Sequence, residues 1–171
     1  LLPAKKTPKT LPEFYQCLEE TVNELKKQVP IKGVALSCPG AVDQKTGVIG
    51  GDSALPYIHG FDIRSELKKR FGLPVSIEND ANCAALAEMA SGAGKKVKDA
   101  IFLVIGTGVG GALVVDKKLH HGAHLLGGEF GYLLLGQEMT VSQIVSPVSI
   151  AERYNAKTRQ ALSGKEVFAK A

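Results

Sequence analysis

Leu11, Phe14, Leu18, Val22, Leu25 and Val29 recur at steps of three and four residues, which sets them along one side of a helix. Thr10, Pro12 and Glu13 give that helix a capping-box start, and it is predicted to end near Pro30. The apolar run 31–37 contains β-branched residues and stops at Cys38-Pro39-Gly40, which predicts a buried strand running into a tight turn. Residues 42–51 hold a Lys45-Thr46-Gly47 turn. Asp62 then caps a helix whose Ile63, Leu67 and Phe71 share a side, and Gly72 stops it. Residues 74–77 read as another strand, and Glu78-Asn79-Asp80 leads into an alanine-rich helix over 81–90, closed by Ser91-Gly92. Such alternation favours a parallel, layered α/β sheet.

The pattern changes after Gly94 and the Lys95-Lys96 loop. Residues 100–105 and 112–115 read as strands separated only by a glycine turn, followed by a polar link and a stretch rich in His and Gly. Residues 149–158 and 163–170 read as helices, the second with Ser163 and Glu166 as a capping box. A domain division follows, with an N-terminal α/β lobe over 1–98 and a second lobe over 99–171.

Composition narrows the class. A chain of 171 residues that is 44% hydrophobic and 22% charged is globular, and its apolar runs fall short of the roughly 20 residues a membrane helix needs. The net charge of +4 is spread along the chain, with Lys5-Lys6, Lys68 to Arg70 and Lys95-Lys96 as its densest groups, so solvated faces explain it better than a nucleic-acid footprint. Cys17, Cys38 and Cys83 are far apart and form no CxxC pair, which points to a reducing cytoplasm. The chain opens without methionine and ends inside a predicted helix, so it is read as a piece of a longer protein.

Three stretches could carry chemistry. Gly106-Thr107-Gly108-Val109-Gly110-Gly111 lacks the Lys-Ser/Thr of a Walker loop and the helix of a Rossmann turn, leaving a glycine-rich hairpin that is either a plain turn or a phosphate clasp. Asp80 stands at a strand end and helix start, where it is either a cap or a base for a substrate hydroxyl beside an Asn79 clamp. Glu129, among glycines, is either a turn residue or a carboxylate able to approach a polyhydroxylated ligand. His120, His121 and His124 match no metal-site spacing, so no metal site is assigned.

In order and spacing these pieces resemble the ROK group of bacterial sugar kinases and sugar-responsive repressors, within the actin-like ATPase superfamily. The carrying residues, within 31–132, are Ser37-Cys38-Pro39-Gly40-Ala41-Val42-Asp43, Glu78-Asn79-Asp80-Ala81-Asn82, the 106–111 glycines, and Gly127-Gly128-Glu129-Phe130-Gly131-Tyr132. The subgroup most resembled is that of glucokinase-like and β-glucoside kinases of Gram-positive bacteria. The resemblance implies a two-lobed actin-like ATPase (ribonuclease H-like) architecture, incomplete in this chain. The family's opening Asp-x-Gly-Gly-Thr hairpin is expected before Leu1 and its last helices after Ala171, or a segment is missing near 135–140.

The same resemblance implies roles. Asp80 would deprotonate a sugar hydroxyl, Asn79 and Glu129 would hold sugar hydroxyls with Pro39 and Gly40 alongside, and Tyr132 would stand where many members have a His. Gly106, Thr107, Gly108, Gly110 and Gly111 would clasp the phosphates of ATP, with Mg²⁺ arriving on the nucleotide. The family's Cys-rich zinc motif is absent, so no structural zinc is expected.

The implied function is ATP-dependent phosphorylation of a hexose or hexoside, glucose-like or a β-glucoside. The alternative is the sugar-sensing part of a repressor, and a structural α/β interaction domain ranks third. Expected partners are a sugar, a nucleotide and a second copy of the chain, with no membrane. Nucleic acid would be a partner only through a DNA-binding segment before Leu1.

Overall fold

Thr10 starts helix α1 (Leu11–Gln28) by accepting the Glu13 N–H at 3.4 Å, and Pro12 sits in the first turn, where a missing amide donor costs nothing. The structure is a computed structural model that describes residues 2–136 and 138–170. The expected capping box is displaced by one residue, since the Glu13 carboxylate accepts from Lys9 N at 3.3 Å. Tyr15, outside the predicted apolar stripe, is buried with Val22 in the apolar core, with the Arg70 guanidinium 4.0 Å over its ring.

Strand β1 (Val34–Cys38) is followed by a hairpin, β2 (Ala41–Asp43) and β3 (Val48–Gly50), and by a short 3₁₀ turn, Pro56–Ile58, that the sequence reading lacks. Helix α2 (Ile63–Phe71) has the predicted ends: Asp62 Oδ1 accepts from Ser65 N at 2.9 Å, and Gly72 closes it in the left-handed conformation. Strand β4 (Val75–Asn79) runs parallel to β1, in register from Val34 opposite Val75 to Cys38 opposite Asn79. Both strands differ from the expected 31–37 and 74–77. Pairing begins only past Pro74, which has no N–H and whose carbonyl takes the Val34 N–H at 2.9 Å. It then continues through Glu78 and Asn79, expected to lie beyond the strand.

The core of this part holds Ile49, Ile58, Ile63 and Leu67, none more than 1% exposed, with Val42, Phe71 and Ile77 around them. Each such side chain contributes roughly 1.5–3 kcal/mol through burial. Residues Leu1–Asp80 form one compact unit and Ala81–Ala171 another.

Helix α3 (Asp80–Ser91) begins at the last residue of the first unit. In the second unit, β5 (Ala100–Ile105), β6 (Val109–Val115) and β7 (Lys118–Leu119) form an antiparallel sheet in that order. Ala85 of α3 packs with Ala112 and Val114 of β6 around a small core, which is why α3 groups with the second unit although the lobe division was drawn at 98/99. A hairpin of β8 (Leu134–Leu135) and β9 (Met139–Thr140) spans most of the link where a missing segment was considered; Gln137 within it lies outside the described residues. Helices α4 (Val141–Val145), α5 (Pro147–Thr158) and α6 (Gly164–Phe168) follow, α4 having been missed and α5 starting two residues before the predicted 149. Thr140 with Gln143 and Ser163 with Glu166 each make a complete capping box.

Candidate functional site

Because β1 and β4 are parallel and end level, the turn after one and the helix start after the other emerge on the same sheet edge, the carboxyl edge where α/β sheets collect ligands. Asn79 Nδ2 donates to Gly40 O at 3.1 Å and ties the two together. Gly40 has φ +99°, and a Cβ built on it would lie 2.9 Å from Gly50 O and 3.2 Å from His59 Nε2, so no other residue fits this turn. His59 is itself held by Ser53, whose Oγ lies 2.7 Å from its Nε2. Asp80 is exposed as the first residue of α3. A carboxylate so placed can accept a proton from a bound hydroxyl.

Behind this edge stands Glu78, only 6% exposed, which the sequence reading quoted without assigning a role. Its Oε1 accepts the Asn79 N–H at 2.8 Å and its Oε2 accepts from Gln44 Nε2. The readable signal was a carboxylate directly after the buried apolar Ile77, since burying a carboxylate demands partners. Gln44 rides on a hairpin loop built by Asp43, whose Oδ1 accepts from Lys45 N at 2.8 Å and Thr46 N at 3.4 Å. The Lys45 amide, then the Thr46 hydroxyl, hold the Asp43 carboxyl below its ordinary range.

The remaining predicted residues lie in the second unit. Gly106, Thr107 and Gly108 form the connection between β5 and β6, with Thr107 exposed at its tip, whereas Gly110 and Gly111 lie inside β6. The pairing of Ile105 with Val109 carries the ladder through Gly110 and Gly111, which explains the difference from the predicted 112 start: glycine weakens a strand but keeps the N–H and C=O the ladder needs. Glu129 precedes a 3₁₀ turn, Phe130–Tyr132, and is half-buried, while Tyr132 is 60% exposed. A Cβ on Gly131 would run into Val109 O and Ser142 Oγ, so that turn packs directly on the start of β6. Ser142, on α4, was not predicted, because its partner is 33 residues away in the chain.

His120 and His124 are exposed, and among the described residues no three or more His, Cys, Asp or Glu side chains are grouped to hold a metal ion. Among the same residues no helix is long and apolar enough to cross a membrane.

Known proteins resemble this chain over most of its length. A β-glucoside kinase from Listeria monocytogenes is 35% identical over 164 residues, 90% of this chain and 56% of that protein. A xylose repressor from Caldicellulosiruptor bescii is 33% identical over 126 residues, 72% of this chain and 31% of that protein. Among solved structures, a ROK family protein from Streptococcus pneumoniae in complex with sucrose superposes with a TM-score of 0.84 at 38% identity, over 98% of this chain and 57% of that one. A ROK family glucokinase from Streptomyces griseus in complex with glucose and AMPPNP gives 0.73 at 27% identity, over 90% of this chain and 53% of that one. The chain thus spans little more than half the length of these kinase and solved-structure relatives, and it carries the corresponding part of the actin-like ATPase fold. The family model described as ROK family matches residues 1–171, and the chain belongs to that family.

Proposed function

We propose that the protein of which this chain is part is an ATP-dependent sugar kinase that phosphorylates a hexose or hexoside, glucose-like or a β-glucoside. The observation that supports this most is the Asn79–Gly40 bond at the sheet edge with Asp80 next to it, a base adjoining an amide clamp. In this reading Asn79 and Glu129 orient the sugar hydroxyls, with Pro39, Gly40 and Tyr132 lining the sugar. Asp80 takes the proton from the attacking hydroxyl, and the glycine-rich hairpin of Gly106, Thr107, Gly108, Gly110 and Gly111 clasps the phosphates. Phosphoryl transfer needs mostly positioning and charge stabilisation, which fits one carboxylate and a glycine-rich hairpin. Mg²⁺ would neutralise phosphate charge when it arrives with the nucleotide, and no residue of this chain is assigned to it.

The lobes 1–98 and 99–171, a homodimeric state and a cytoplasmic location belong to the same proposal. The test is titration calorimetry of the full-length protein with glucose, cellobiose and MgATP, then a coupled ADP-release assay on any sugar that binds. Sugar-dependent ADP release that vanishes in Asp80→Asn supports the kinase. The likeness to the xylose repressor favours a second reading, a sugar sensor, and sugar binding without turnover would select it.

A further inference from the structure

Asn79 and Asp80 are only as well placed as the strand end that carries them, and a buried carboxylate helps to fasten that end. Glu78 is 6% exposed and spans two elements: Oε1 accepts the N–H of Asn79 at 2.8 Å, and Oε2 accepts from Gln44 Nε2 on the β2–β3 loop. That loop is fixed from two further sides. Asp43 Oδ1 accepts from Lys45 N and Thr46 N, and Arg64 of α2 donates to Gln44 O and, at 3.2 Å, to Lys45 O. Gln44 is therefore a side chain aimed from a rigid support, and Glu78 transmits that rigidity to the backbone of Asn79, whose side chain in turn holds the Gly40 turn at 3.1 Å. The continuous path is Arg64, Gln44, Glu78, Asn79, Gly40, reaching from α2 to both turns of the carboxyl edge.

We infer that Glu78, through Gln44, is a positioning residue for the phosphoryl-transfer site, setting where Asn79 and Asp80 stand without itself touching sugar or phosphate. The inference rests on the kinase reading above. Its chemistry is specific: an amide must face a carboxylate across this gap, and either partner can be the carboxylate. A carboxylate on each side would repel, and neither would have a proton to donate to the other.

The experiment uses the full-length protein and compares wild type, Gln44→Glu and the reciprocal Gln44→Glu/Glu78→Gln exchange, measuring kcat and KM for sugar with melting temperature in parallel. Gln44→Glu is expected to lower kcat/KM by roughly tenfold or more, because small displacements of reacting groups are costly to rate. The reciprocal exchange is expected to restore it to within about threefold, since it again sets an amide against a carboxylate. Recovery of kcat in the exchange, with a melting temperature that stays level across the variants, marks the pair as the positioning unit, whereas a melting temperature that falls and recovers in step with kcat/KM would overturn the inference. Wild-type turnover with Gln44→Glu unaffected would overturn the inference alone, as would a loss that the exchange fails to repair. An inactive wild type would overturn the kinase reading, and the inference with it.

Discussion

Ser142 Oγ lies 2.9 Å from Val109 N and 3.4 Å from Val109 O, so a single hydroxyl on α4 answers both backbone groups of the residue that opens β6. Gly131 approaches the same place, its missing Cβ leaving room for Val109 O and Ser142 Oγ. The glycine connection and the turn after Glu129 are thus fastened to one point in the second unit.

Ser142→Ala is expected to leave the Val109 N–H without its partner and to lower stability by about 1–3 kcal/mol, the usual cost of an unmet buried donor. Urea unfolding reads this directly. In the kinase assay the same variant is expected to raise the KM for ATP several-fold more than the KM for sugar. Equal changes in the two would argue that Ser142 supports the unit as a whole.

Gly131→Ala is expected to displace the Phe130–Tyr132 turn, because the new methyl group meets backbone atoms that cannot rotate away. A loss of about 1–3 kcal/mol is anticipated, as for other overpacked sites. Wild-type stability in this variant would show that the turn moves freely.

Asp80→Asn is expected to lower kcat on the order of 10² to 10⁴-fold while sugar affinity changes little, because a neutral amide keeps the size but cannot take the proton. Calorimetry and steady-state kinetics on the same preparation separate these effects.

Acid should weaken the first unit. The Ser65 hydroxyl, then the Ser65 N–H, pull the Asp62 carboxyl below its ordinary range. A depressed folded value means that this cap stabilises fully above the ordinary carboxylate pKa of about 4, and that the stabilisation is lost as pH falls through the folded value. Melting temperature followed downward from neutral pH should fall less steeply below about pH 4 in Asp62→Asn than in wild type. Asp43, depressed by the Lys45 amide, acts in the same direction, so parallel curves for wild type and an Asp62→Asn/Asp43→Asn variant would show that neither carboxyl is linked to folding.

Helix α2 was legible because both its signals are local: Asp62 sits at its start, Gly72 at its end, and Ile63, Leu67 and Phe71 face one way. The candidate residues Asn79 and Asp80 were legible for a similar reason, as a polar triplet at a boundary between two regular elements. Helix α4 was not. It has five residues, too few for apolar periodicity to show, and its Ser142 is tied to Val109 across 33 residues of chain. The role of Glu78 was hidden in the same way, since Gln44 is 34 residues away and no local pattern marks the two as partners. Reading Asn79 as post-strand followed from stopping at the last apolar residue, Ile77, whereas the ladder with β1 continues two residues further.

The level endings of β1 and β4 also constrain how this protein can vary over descent. A one-residue insertion or deletion within either strand would shift the ladder by one and send alternate side chains to the opposite face. Cys38 would no longer stand opposite Asn79, and Glu78 would turn away from Gln44. Length changes in homologues should therefore collect in exposed connections such as the 116–117 turn, and strands β1 and β4 should keep their residue count even where their sequences diverge.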